Sequence, residues 1–107
     1  MTDAKMIDEM FAALPARYVP GVIDKPMTFY FSIDDSKKTL KLEKDRAVVE
    51  DGKTVENADC VCKTSAEFLL AIWQGTKRPG IMDFMSGKIK SNDPAALEVF
   101  MRCFGKA

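Results

Sequence analysis

Residues 28–52 read TFYFSIDDSKKTLKLEKDRAVVEDG, and the spacing of their apolar positions decides what kind of fold this chain can adopt. In Thr28-Phe29-Tyr30-Phe31-Ser32-Ile33 the apolar set Phe29, Phe31 and Ile33 takes every second position, separated by Tyr30 and Ser32. Successive side chains of a strand point to opposite faces, so this is a strand with one buried face. Asp34-Asp35-Ser36-Lys37 reads as a turn. From Thr39 to Glu43 the alternation resumes, with Leu40 and Leu42 on one side and Lys41 and Glu43 on the other. Arg46 to Glu50 makes a short third strand, closed by the turn pair Asp51-Gly52. Three strands joined by short polar turns predict an antiparallel meander. Its polar second face predicts a sheet covered on one side only.

Helices flank this meander. Residues 3–14 read as a helix behind the capping residues Thr2 and Asp3, with Ile7, Met10, Phe11 and Leu14 at i, i+3, i+4 and i+7. Pro15 is expected to end it, and Pro15, Pro20, Gly21 and Pro26 mark residues 15–27 as a connector. A fourth strand is expected from Asp59 to Lys63, with Cys60 and Cys62 on one face. Thr64-Ser65-Ala66-Glu67 has the spacing of a capping box and opens a helix carrying Phe68, Leu69, Ile72 and Trp73 on one side, with Gly75 at its end. Pro79-Gly80 leads a short helix with Ile81, Phe84 and Met85, ended by Gly87. Lys88-Ile89-Lys90 is a short candidate fifth strand. Asp93-Pro94 caps a last helix in which Leu97, Phe100, Met101 and Phe104 repeat at helical spacing. The predicted class is α+β, a mostly antiparallel five-stranded sheet with helices on one face.

Composition removes several functions. At 107 residues the chain fits one domain with one core. Sixteen basic and sixteen acidic residues cancel and form no basic stripe, so no nucleic-acid partner is expected. The longest apolar run, residues 68–73, is far short of a bilayer span, so no stable membrane insertion is expected. Neither an apolar signal core near Met1 nor a Ser-Lys-Leu ending is visible, which leaves a cytoplasmic location as the default. With no histidine and three cysteines, neither a zinc site nor a Ser-His or Cys-His nucleophile can be assembled, and no metal or cofactor is expected. Cys60 and Cys62 read as small buried hydrophobes, and Cys103 as a partly exposed thiol.

Two segments resemble the sterol carrier protein 2 (SCP-2) family. Residues 57–69, Asn57-Ala58-Asp59-Cys60-Val61-Cys62-Lys63-Thr64-Ser65-Ala66-Glu67-Phe68-Leu69, look like its run of alanine-aspartate, strand, helix cap and aromatic. Residues 75–90 are similar to its pattern of a glycine, a proline, a phenylalanine and then Gly-Lys with an aliphatic, here Gly75, Pro79, Phe84 and Gly87-Lys88-Ile89. The element order agrees from about residue 5 to residue 104. Three departures stand out: Leu40 where the family often has tryptophan, Ser86 where it commonly has glutamine, and Ser91-Asn92-Asp93 where its last strand usually continues.

The resemblance implies one SCP-2-like domain over residues 1–107, with a hydrophobic tunnel between sheet and helices that takes a fatty acid, a fatty acyl-CoA or a sterol-like molecule. Its lining would come from Phe29 and Phe31, from Phe68, Ile72 and Trp73, from Ile81, Phe84 and Met85, and from Leu97, Phe100 and Met101. Without the resemblance, the same stripes are what any small core looks like. Lys77, Arg78 and Lys88 read either as ordinary charges near helix ends or as headgroup contacts at the tunnel mouth; Asp59 reads as a turn or cap residue. Binding and transfer of a lipid-like ligand, without catalysis, is the leading expectation. The alternative is an interaction module that presents a lipophilic substrate to a partner enzyme, and a homodimer stays open. An enzyme is the weakest reading, because Asp59, Asp83, Asp93 and Lys88 show no spacing that pairs two of them for acid–base work.

Overall fold

Alternating burial in the strands follows the sequence pattern and builds a five-stranded sheet. The computed structural model describes residues 3–75 and 80–105, leaving out the side chains of Asp3, Ala4, Ile81 and Phe84. The elements are α1 (Asp3–Arg17), β1 (Met27–Ile33), β2 (Ser36–Leu42), β3 (Ala47–Asp51), β4 (Cys60–Thr64), α2 (Ala66–Trp73), α3 (Ile81–Met85), β5 (Ile89–Ser91) and α4 (Pro94–Cys103). The strand order is β3-β2-β1-β4-β5.

The meander β1–β2–β3 is antiparallel, as expected, with Phe29 opposite Leu40 and Leu40 opposite Val49. The expectation of a mostly antiparallel sheet is corrected by the next pair: β4 runs parallel to β1, with Phe29 beside Cys60 and Phe31 beside Cys62. The sheet is therefore mixed, and β5 adds antiparallel to β4. The cause lies in residues 52–59. After Gly52, held at φ +80°, the chain crosses the second face of the sheet and re-enters at the β1 end, where Thr28 N–H donates to the Asp59 carboxylate at 2.9 Å. Asp59 thus ties two strand starts together. A meander alone would leave the free edge of β1 unpaired, and β4 occupies it.

That crossover also corrects the expectation of a sheet covered on one side only. Thr39, on the second face, is fully buried; its hydroxyl donates to Gly52 O at 2.7 Å and accepts from Thr54 N–H at 3.1 Å. Lys53 Nζ lies 5.5 Å above the Tyr30 ring on the same face.

Helices α1, α2 and α4 gather on the first face. Phe11 of α1 meets Phe31 edge-on at 5.3 Å, and Phe100 of α4 lies 5.7 Å from Phe29. Helix α1 runs through Pro15 to Arg17, three residues beyond its expected end. Proline there forfeits one intrahelical bond, while buried Leu14 holds the last turns on the core. The cap of α2 is Ser65, whose hydroxyl accepts from Phe68 N–H at 3.1 Å; Thr64, the residue expected to cap, instead donates to Lys88 O at 2.8 Å. Asp93 caps α4 as expected, accepting from Ala96 N–H at 3.2 Å. Among the described residues no helix is long and apolar enough to cross a membrane.

Candidate functional site

The residues expected to line a tunnel separate into two groups. Phe29, Phe31, Ile72, Trp73 and Phe100 are buried and in one core cluster. The rings touch directly: Phe31 to Phe100 at 5.1 Å, Trp73 to Phe100 at 5.5 Å and Phe29 to Phe31 at 6.1 Å. Phe104, absent from the expected lining, joins the layer at 5.3 Å from Phe100 and 6.0 Å from Trp73. Leu97 and Met101 sit half-buried against it. Among the described residues, aromatic contacts therefore fill the part of the layer between sheet and helices where these side chains meet. Each such pair contributes roughly 0.5–1.5 kcal/mol beyond its buried area.

The second group lies outside the layer. Met85, an expected lining residue, is 76% exposed, and Met82 is 73% exposed. Five residues of α3, resting on a three-residue strand, offer too little structure to enclose both methionines. The side chains of Ile81 and Phe84, and residues Lys77 and Arg78, lie outside those described.

Phe68 links the two groups. It stands on the first turn of α2 and, with Ala71, forms the apolar floor of an open cleft of about 590 Å³. The rest of the lining is Gly87 and the polar residues Asp34, Lys63, Thr64, Ser65, Glu67, Lys88 and Lys90. Each wall has a local cause. Asp34 follows β1 at φ +51°, which lets its carboxylate accept from Ala66 N–H at 2.9 Å, at the positive end of α2. Gly87, at φ +81°, makes the turn from α3 into β5, and Lys88 N–H donates to Asp83 O at 3.0 Å. Lys63 and Lys90 are direct cross-strand partners. Lys63, Lys88 and Lys90 are all exposed, as are Asp34 and Glu67. Sequence reading singled out Lys88 but not Lys63 or Lys90. Each is an ordinary polar position on a strand, and only the β4–β5 register makes them neighbours.

A second groove, lined by Asp8, Phe11, Ala12, Pro15, Lys38, Val49 and Asp51, is already occupied chemically: the Lys38 ammonium is buried and paired with both Asp8 and Asp51. The thiols are poor nucleophiles. Burial pushes Cys62 up to about 12 and raises Cys60 and Cys103 as well. Cys103 is fully buried, not partly exposed as its position near the chain end suggested.

No family model and no curated protein sequence matches the chain. Solved structures do. A ubiquinone synthesis protein, UbiJ-SCP2, superposes with a TM-score of 0.60 at 16% identity, over 94% of this chain and 86% of that one. Palmitated SCP2L2 from Aedes aegypti gives 0.54 at 17% identity, over 94% and 91%. The fold is SCP-2-like. The same SCP-2-like fold also appears inside a larger enzyme. The stereoselective inverting sec-alkylsulfatase Pisa1 from Pseudomonas sp. matches with a TM-score of 0.79 at 20% identity, covering 92% of this chain but only 16% of that one. The chain thus spans about a sixth of the sulfatase and most of each SCP-2 protein.

Proposed function

We propose that residues 1–107 form one SCP-2-like domain, cytoplasmic and non-catalytic, that binds a lipid-like amphiphile such as a fatty acid, a fatty acyl-CoA or a sterol-like molecule. The observation that carries this reading is the cleft: an apolar floor of Phe68 and Ala71 beside three exposed lysines, Lys63, Lys88 and Lys90. An anionic head suits the lysines, and an apolar tail suits the floor. A tail reaching past the cleft must part the aromatic layer behind Phe68. Each CH₂ taken from water contributes about 0.8 kcal/mol, so a couple of methylenes offset one ring pair worth about 0.5–1.5 kcal/mol. A closed layer without ligand and an opened one with ligand are therefore compatible. The palmitated neighbour and the sulfatase, named for alkyl sulfates, both concern molecules with a tail and a polar head.

The test is a titration of delipidated protein with a fluorescent fatty acid, followed by displacement with unlabelled fatty acid, acyl-CoA and sterol. Saturable binding at micromolar levels is expected, with a change in the emission of buried Trp73. The Lys88→Glu, Lys90→Glu double variant is expected to weaken fatty acid more than sterol. Absence of saturable binding with all three classes would sink the proposal.

A second reading has its own support. Likeness to one part of a sulfatase and to a ubiquinone synthesis protein favours a domain that presents a lipophilic substrate to a partner enzyme. Native mass spectrometry separates the two: a co-purified lipophile on a single chain supports the carrier, and a stable hetero-complex or dimer without lipophile supports the presenting module.

A further inference from the structure

Lys38 breaks the pattern of its strand. It shares the inward face of β2 with Leu40 and Leu42, where an apolar side chain is expected, yet it is buried as a cation. Its ammonium, 9% exposed, meets the Asp8 carboxylate of α1 at 2.8 Å and the Asp51 carboxylate of β3. Burial alone would lower the Lys38 pKa, but the bonds to Asp51 and Asp8 outweigh it and the net direction is up. A buried charge is costly, and an apolar side chain of similar length would fill the same place without that cost. What the lysine adds is a tie that can be released. Asp8 and Asp51 are 61% and 87% exposed, so either carboxylate is already solvated when it lets go.

The tie stands toward one end of α1, and a pivot stands at the other. Just past Arg17, Tyr18 OH donates to Glu43 O, Val19 N–H to Cys103 O at 2.7 Å and Gly21 N–H to Lys44 O at 3.2 Å. These bonds pin the C-terminal end of α1 to the β2–β3 turn and to the end of α4. Asp8 lies about 15 Å from that pivot at the rise of an α-helix. Between them Pro15 has no N–H to give, which weakens the helix next to the pivot. Strand register places the tie at the cleft end of the sheet. Lys38 is opposite Phe31, and the next inward row joins Ile33 to Ser36 and to Thr64, which lines the cleft. Phe11, one turn on from Asp8, is the ring that meets Phe31. Beside the tie, an open groove of about 470 Å³, lined by Phe11, Ala12 and Val49 among others, already separates α1 from β3.

Resting on the amphiphile-binding reading, we propose that α1 is the cover of the binding layer, pivoting at residues 18–21 and latched by Lys38 to Asp8. Releasing the latch lifts Phe11 from Phe31, a tail passes from the cleft into the layer, and α1 closes again over it. Asp51 stays with the sheet and keeps Lys38 paired while Asp8 is away.

The experiment sets Asp8→Asn against Asp51→Asn. Both remove the same charge from the same lysine, and only Asp8 is on the moving helix. Hydrogen exchange is followed on the ligand-free full chain, and association and dissociation of a fluorescent fatty acid by stopped flow. In Asp8→Asn the amides of residues 7–14 should exchange at least about fivefold faster, as expected for losing a hydrogen-bonded charge pair, while those of β1 keep their rates. Fatty-acid association and dissociation should both quicken by a similar factor, with affinity nearly unchanged. Asp51→Asn should quicken neither. Three results overturn the latch: equal acceleration in the two variants, faster exchange spread alike over α1, β1 and α4, or unaltered rates in Asp8→Asn. If fatty acid binds and the two variants behave alike, the latch falls alone. If the unaltered chain binds no fatty acid, acyl-CoA or sterol, the amphiphile-binding reading falls and takes the latch with it.

Discussion

The aromatic layer under α4 and the cleft end around α3 use the same residue types at the same helical spacing, and they end up in opposite environments. In α4, Phe100 is 2% exposed and contacts four other rings, from β1, α2 and the residue that ends its own helix. In α3, Met85 is 76% exposed. Hydrophobicity does not separate them. What separates them is what each helix packs on: α4 sets Phe100 against Phe29 and Phe31 of β1 and Trp73 of α2, whereas among the described residues α3 rests chiefly on the three-residue β5. An apolar stripe states that a face seeks cover, and the fold decides whether that cover comes from within the chain or from a ligand or surface outside it.

The largest effect expected from this contrast concerns the closed layer. Phe100→Ala should cost about 3–5 kcal/mol in urea denaturation, by removing ring contacts and leaving a cavity. A loss below about 1 kcal/mol would mean that the layer is loose enough to be a pre-formed tunnel. The next effect is electrostatic and lies in the same layer. Cys62 is buried on β4, and burial holds its thiol at about 12. A raised folded-state value contributes stability that is whole below the unfolded thiol's value near 8.5–9 and is lost as pH rises toward the folded one. Between about pH 9 and pH 11 the Cys62 contribution should fall by on the order of 2–3 kcal/mol. Comparing the unaltered chain with Cys62→Ala isolates it, and parallel slopes in the two proteins would show that water already reaches β4. The smallest effect belongs to the open end. Met85→Trp should change stability by no more than about 0.5 kcal/mol, because no protein atoms need to move aside. Marked destabilisation would put Met85 inside the core and dissolve the contrast.

The fold was legible wherever a local pattern has only one physical solution. Alternation in Phe29, Phe31 and Ile33 could bury one face only, and Asp93-Pro94 could hardly serve as anything but a helix start. Misreadings fell where two local solutions compete. Pro15 can end a helix or sit in its last turns, and the burial of Leu14 decides. Thr64 and Ser65 can each cap, and the nearby carbonyl of Lys88 takes Thr64 away. The cleft was the least legible feature. Lys63 and Lys90 are distant in sequence, each with the period of a strand and neither with any local mark of a site.

By itself the sequence determined the order of elements, the buried face of the meander, the placement of the α4 cap and the SCP-2 resemblance, because periodicity, turn chemistry and capping act over a few residues. Only the tertiary structure decided that β4 lies parallel to β1, that the second face of the sheet is covered at Thr39, that the aromatic rings close on one another and that three lysines meet at one cleft. Those outcomes depend on which way the chain crosses after Gly52 and on strand register, and a register is settled by the packing of all the partners together rather than by any one stretch of the chain.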